Sequence, residues 1–150
     1  MTMIALDTNL LALYLIGGST GRVVGKRLKA YTDDDLPVLR DCIATHDRLI
    51  TTPNAWTEFF NIWDWGIEEP LRSELLYSSI ALVKQSIELV RASRDIVDDP
   101  DFGRLGLSDC VWLAVLNHET TLLTDDVALF NIALSRGFKA VNFTQLRQFN

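Results

Sequence analysis

The sequence predicts an α/β domain built on a parallel sheet with helices on both faces, and three observations carry that expectation. The run Met3-Ile4-Ala5-Leu6 is apolar without alternation, which suits a strand buried on both sides. Strand-like runs at Arg48–Thr51, 121–124 and 140–143 are separated by longer helical patterns, the arrangement of a parallel sheet. Of the 150 residues, 48% are apolar and 23% charged, a globular balance in a chain long enough for a sizeable core.

Taken in order, the first strand runs into Asp7-Thr8-Asn9, after which residues 9–16 turn back as a helix. Gly17-Gly18-Ser19-Thr20-Gly21 reads as a loop. Arg22, Lys26 and Lys29 then recur at helical spacing, either as a phosphate-contacting stripe or as a solvated face. Asp33-Asp34-Asp35 marks a turn, and residues 36–47 form a helix with Leu39, Cys42 and Ile43 on one side. After the Arg48–Thr51 strand, Thr52-Pro53 combines a capping hydroxyl with a proline at the first helical position. The helix that follows, 55–65, contains Glu58, and its aromatics Trp56, Phe59, Phe60, Trp63 and Trp65 fit core packing or an interface.

Glu68-Glu69-Pro70 ends that element, and a long helix begins near Leu71. Residues 87–90 either finish it or form a short strand before Ser93 caps a new helix. Asp98-Asp99-Pro100-Asp101 closes that piece as a polar loop or binds a cation. Residues 108–116 form an almost wholly apolar, buried helix with Asp109 in its first turn. Asp125-Asp126 follows the 121–124 strand, Val127–Ser135 is a helix that Gly137 stops, and Thr144 caps a short terminal helix. No repeat or Gly-rich linker divides the chain, so residues 1–150 are expected to form a single domain.

Several function classes are disfavoured. The formal charge of −6 and pI near 4.8 argue against a duplex binder with a broad basic face. No apolar stretch reaches membrane-spanning length, and the early acid with no basic lead argues against a secretory signal. Cys42 and Cys110 form no CxxC, so two packing thiols in a reduced cytoplasmic protein are expected. GxSxG, P-loop, HExxH and GxGxxG patterns are absent, and His46 and His118 fit no zinc spacing.

What remains are acids at strand ends and helix starts. Asp7 and Asp125-Asp126 end strands, Asp109 opens a helix and Glu58 lies inside another, so all can open at one sheet edge. Carboxylates brought together repel unless a proton or a cation intervenes, and oxygen-only clusters are what Mg²⁺ and Mn²⁺ prefer. Such an ion can meet a phosphate oxygen and activate water, which points to metal-assisted phosphodiester hydrolysis. Each acid also has an ordinary role open to it. Asp7, Asp109 and Asp125 or Asp126 suit helix caps or dipoles, and Glu58 suits an ion pair.

In this set the chain resembles the PIN-domain ribonucleases, in particular the toxins of VapBC-type toxin–antitoxin pairs. The resemblance rests on Ile4-Ala5-Leu6-Asp7-Thr8-Asn9, on Glu58 in a helix after the second strand, on Leu107-Ser108-Asp109, and on Leu122-Leu123-Thr124-Asp125-Asp126. It implies a three-layer α/β/α fold and an acidic pocket that binds Mg²⁺ or Mn²⁺ and cuts single-stranded or structured RNA. It further implies Asp7, Glu58, Asp109 and Asp126 as catalytic metal ligands, Asp125 in the outer shell, and Thr8, Asn9 and Thr124 as orienting residues. The implied partners are RNA and an antitoxin protein, and the aromatic helix adds the expectation of a homodimer. The alternative is a non-catalytic PIN-like module that binds RNA or protein.

Overall fold

A computed structural model of the chain describes residues 1–61 and 66–149. Five strands, β1 (Met3–Leu6), β2 (Arg48–Thr51), β3 (Ile87–Glu88), β4 (Thr120–Thr124) and β5 (Lys139–Asn142), form one sheet in the order β3-β2-β1-β4-β5. Every neighbouring pair is parallel. The connecting helices are α1 (Thr8–Thr20), α2 (Asp35–Ala44), α3 (Pro53–Phe60), α4 (Leu71–Gln85), α5 (Phe102–Leu105), α6 (Leu107–Val115), α7 (Val127–Ser135) and α8 (Phe143–Gln148). The expected α/β class is therefore the observed one, with helices on both sides of a central parallel sheet.

The period-two side-chain alternation of strands sorts the residues into two cores. Ile4, Leu6 and Leu123 face one side, where α1, α2, α3 and α8 supply Leu10, Leu13, Leu39, Phe59 and Phe143. Met3, Ala5 and Leu122 face the other, against Val111 and Trp112 of α6 and Leu129 and Ile132 of α7. An apolar run without alternation at β1 is thus what a strand between two helix layers requires.

Some local expectations give way to tertiary packing. The Gly17-Gly18 stretch is not a loop but part of α1, which ends at Gly21 in the left-handed conformation (φ 68°). Gly17 is there for space: a Cβ at this position would lie 2.5 Å from a Leu36 methyl. The basic stretch is not a helix either, only a 3₁₀ turn over Lys26–Leu28, entered through Gly25 at φ 101°. Of residues 87–90, Ile87–Glu88 form the short edge strand β3, and Ser93 opens a 3₁₀ turn without making a cap. The carboxylates of Asp99 and Asp101 bind the Arg136 guanidinium at 2.7 Å, tying the loop to the residue that follows α7. Asn142, not Thr144, caps α8, its side chain accepting from Gln145 N.

Thr52 caps α3 as expected, accepting from Ala55 N at 3.1 Å, with Pro53 next. The expected extension of this helix to Trp63 and Trp65 lies outside the described residues. Trp56 and Phe59 are buried within the chain and meet edge to face, so these two form core. Cys42 and Cys110 are both free thiols, and no helix among the described residues is long and apolar enough to cross a membrane.

Candidate functional site

The strand order creates a switch point. From β1 the chain moves outward through β2 to β3, then returns to the opposite flank of β1 at β4. Open α/β sheets form a crevice outside the strand ends at such a reversal. A cavity of about 500 Å³ lies where Asp7 leaves β1 and Asp125-Asp126 leave β4, and Asp7, Glu58, Asp109, Asp125 and Asp126 all line it. Glu58 arrives from α3 and Asp109 from the first turn of α6, two helices that pack on each other. The acids separated along the sequence are therefore brought to one wall, with Asn9, Ser108 and Arg27 among them.

Asp7 occupies the N-cap position of α1 but makes no side-chain cap. Its amide instead continues the β1–β4 ladder onto Leu123 O at 3.1 Å, and its Oδ2 accepts from the Thr124 hydroxyl at 2.7 Å. The capping role open to Asp7 is thus not the one it fills. Glu58 likewise accepts from a threonine, the Thr8 hydroxyl, at 2.8 Å. Thr8 and Thr124 are both buried, so these two bonds hold the carboxylates at fixed places in the cavity wall.

The remaining pair divides its duties. Asp126 is the N-cap of α7, with Oδ1 accepting from Leu129 N at 3.0 Å, while its own amide donates to Thr124 Oγ1 at 3.0 Å. Its capping role is real and uses one of its two oxygens. Asp125 is held on both sides: Tyr31 donates to Oδ2, and the Thr144 amide and hydroxyl donate to Oδ1 at 2.6 and 2.8 Å. Both Asp125 oxygens are engaged, and they cross-link three segments of the chain. Burial, then the Asp125 hydrogen bond and charge, push the Tyr31 phenol above its usual range.

The third residue expected to orient the acids is Asn9. It lines the cavity, but its Oδ1 is buried with no hydrogen-bond partner among the described residues. An orphaned buried acceptor is costly, about 1–3 kcal/mol, and its place beside the acids is where a hydrated or cationic ligand would satisfy it.

The acids sense one another. Burial, followed by the charges of Asp7, Asp126 and Glu58, raises the Asp109 carboxyl to about 7. Burial also raises Asp7, opposed by its bond from Thr124 and reinforced by Asp126 and Glu58. The N-termini of α1, α6 and α7 all open here, and their dipoles favour negative charge. In kind, an all-oxygen carboxylate set fits a hard divalent cation. Among the described residues, however, no three His, Cys, Asp or Glu side chains stand ready-made as an ion cage. The cavity is carboxylate-lined, and side-chain rotation would have to complete any coordination.

Arg27 and Tyr31 are the residues that sequence reasoning passed over. Helical spacing selected Arg22, Lys26 and Lys29, and a 3₁₀ turn instead brings their neighbour Arg27 to the cavity. Tyr31, an isolated aromatic between basic and acidic runs, was the available signal for a contact 94 residues away. In comparison with known proteins, the chain matches no protein-family model and no curated protein.

Proposed function

We propose that the chain is a metal-dependent endoribonuclease of the PIN-domain type, hydrolysing RNA phosphodiester bonds at the acidic cavity. The observation that supports this reading is the convergence of Asp7, Glu58, Asp109 and Asp126, from four elements, on one cavity at the sheet's switch point. These four residues would hold Mg²⁺ or Mn²⁺, with Asp125 behind them. When bound, the ion supplies Lewis-acid stabilisation of negative charge at the scissile phosphate.

The chain's own residues do the positioning. Thr124 and Thr8 orient Asp7 and Glu58 through their hydroxyls. Asp109, with its carboxyl near 7, holds or gives up a proton according to what enters the cavity. Asp109 and the Asp126 oxygen not used in the cap would hold the cation together with Asp7, and its charge would offset the repulsion among them. The resemblance to VapC-type toxins extends the proposal to a toxin restrained by an antitoxin protein. A second reading, a non-catalytic RNA- or protein-binding module, draws on the lack of a ready-made cage among the described residues and on the capping duty of Asp126.

Cleavage of single-stranded RNA, assayed with Mg²⁺, with Mn²⁺ and with EDTA, separates the two. The expected result is cleavage that needs the ion and falls by at least about a hundredfold in Asp7→Asn, with the fold kept by circular dichroism. Cleavage indifferent to chelation would refute the metal assignment. Absence of both cleavage and calorimetric Mn²⁺ binding at millimolar concentration would favour the binding module.

A further inference from the structure

Arg27 stands in the wall of an otherwise acidic cavity, among Asp7, Glu58, Asp109 and Asp126. It belongs to a run in which Arg22, Lys26, Arg27 and Lys29 fall within eight positions, with no acid between them, in a chain whose net charge is −6. All four cations are exposed. Arg27 thus brings one positive charge to the acidic cavity, and the other three cations are its near neighbours in the chain.

The segment is anchored rather than trailing. Leu28 is fully buried between the cations on either side of it. Val23 N donates to Asp33 Oδ1 at 2.8 Å, the Tyr31 phenol donates to Asp125, and Arg147 donates to Ala30 O at 3.0 Å. Asp125 is thus shared: the strand end that supplies the acids also fixes the turn that presents Arg27. A polyanion approaching carboxylates is repelled, and a guanidinium beside them gives it a hold, since its planar fork matches phosphate oxygens.

We infer that residues 22–29 form a subsite for the phosphodiester backbone of single-stranded RNA. Arg27 contacts the phosphate nearest the acidic cavity, and Lys26 and Lys29 contact neighbouring ones. The identity of the polymer rests on the nuclease reading; the anion subsite rests on the placement of the cations. A single strand is favoured over a duplex because the basic surface is one short turn on an acidic molecule, too narrow for the broad face that duplex binding uses.

The test is fluorescence anisotropy of a short fluorescein-labelled single-stranded RNA in EDTA over a series of salt concentrations, with Mn²⁺ binding to each protein measured separately by calorimetry. Arg27→Ala is expected to weaken RNA binding about tenfold and to lower the slope of log affinity against log salt by about 0.7, one backbone contact. Arg27→Lys keeps the slope but not the full affinity, and Lys29→Ala lowers the slope on its own. Mn²⁺ affinity is equal or tighter in Arg27→Ala, because a cation has left the cavity wall.

Equal affinity and slope in wild type and Arg27→Ala would overturn the inference, as would a wild type that binds no RNA or binds a duplex equally well. A lowered melting temperature in Arg27→Ala with an unchanged slope would also overturn it, by making Arg27 a structural counter-ion. Loss of the nuclease reading registers elsewhere, as absent Mn²⁺ binding, and leaves an Arg27-dependent salt slope standing.

Discussion

Asp109 carries the clearest record of what the cavity does to charge. Burial and the neighbouring Asp7, Asp126 and Glu58 raise its carboxyl to about 7, against about 3.9 in an unfolded chain. The folded state therefore binds the extra proton, so the stability linked to it is complete below about pH 4 and is lost as pH rises through about 7. In EDTA, Asp109→Asn is expected to match wild type at pH 4 and to exceed it at pH 8 by about 2 kcal/mol, roughly half the full linkage value because solvent still reaches the carboxylate. Urea melts at the two pH values check this; an asparagine variant no more stable at pH 8 would show that the acid is not held among like charges. Asp109 was legible in the sequence because an acid opening a wholly apolar helix stands out. Arg27 was not, because the reading assumed a helix and its periodicity pointed at other cations.

Glycine at helical positions shows why the elements were only partly legible. Glycine costs a helix about 1 kcal/mol relative to alanine, so Gly17-Gly18 reads locally as a break, yet α1 runs through both to Gly21. What the sequence could not display is that Leu36 of α2 lies against Gly17, whereas nothing approaches a Cβ at Gly18 within 4 Å. The two neighbours should therefore answer the same substitution differently. Gly18→Ala is expected to stabilise by up to about 1 kcal/mol, and Gly17→Ala to fall about 1–2 kcal/mol short of it, since the Leu36 methyl must move within a packed core. Chemical denaturation of both variants decides it, and equal stabilisation would mean the α1–α2 contact is looser than the geometry implies. Elements whose signals are local, β2 with the Thr52-Pro53 start and α7 with its Gly137 stop, fall where the sequence puts them. Caps that depend on a partner elsewhere do not: Thr144 is drawn from capping α8 to bonding Asp125.

At the scale of the whole molecule, the cavity joins parts that lie far apart in the chain. Asp7 and Asp126 leave neighbouring central strands, Glu58 comes from α3, which contributes to both cores, and Asp109 comes from α6, which packs on α3 and belongs to the second core. The alternation of strands and helices made a parallel sheet legible, but the order β3-β2-β1-β4-β5 is set by long-range pairing that no local pattern encodes. Because the acids span both cores, an ion held by them would tie the sheet's two helix layers together and register as global stability rather than as ordering of a loop. Under the proposed function, Mn²⁺ at a hundredfold excess over its dissociation constant should add about 2.7 kcal/mol, seen as a rise in melting temperature of roughly 5–10 °C for a chain of this size. The rise should be larger at pH 8 than at pH 6, where the Asp109 proton competes with the ion, and should disappear in Asp7→Asn. Calorimetric melts with Mn²⁺ and with EDTA at both pH values measure it. A shift that survives in Asp7→Asn would locate the ion away from the switch point and separate the metal from this cavity.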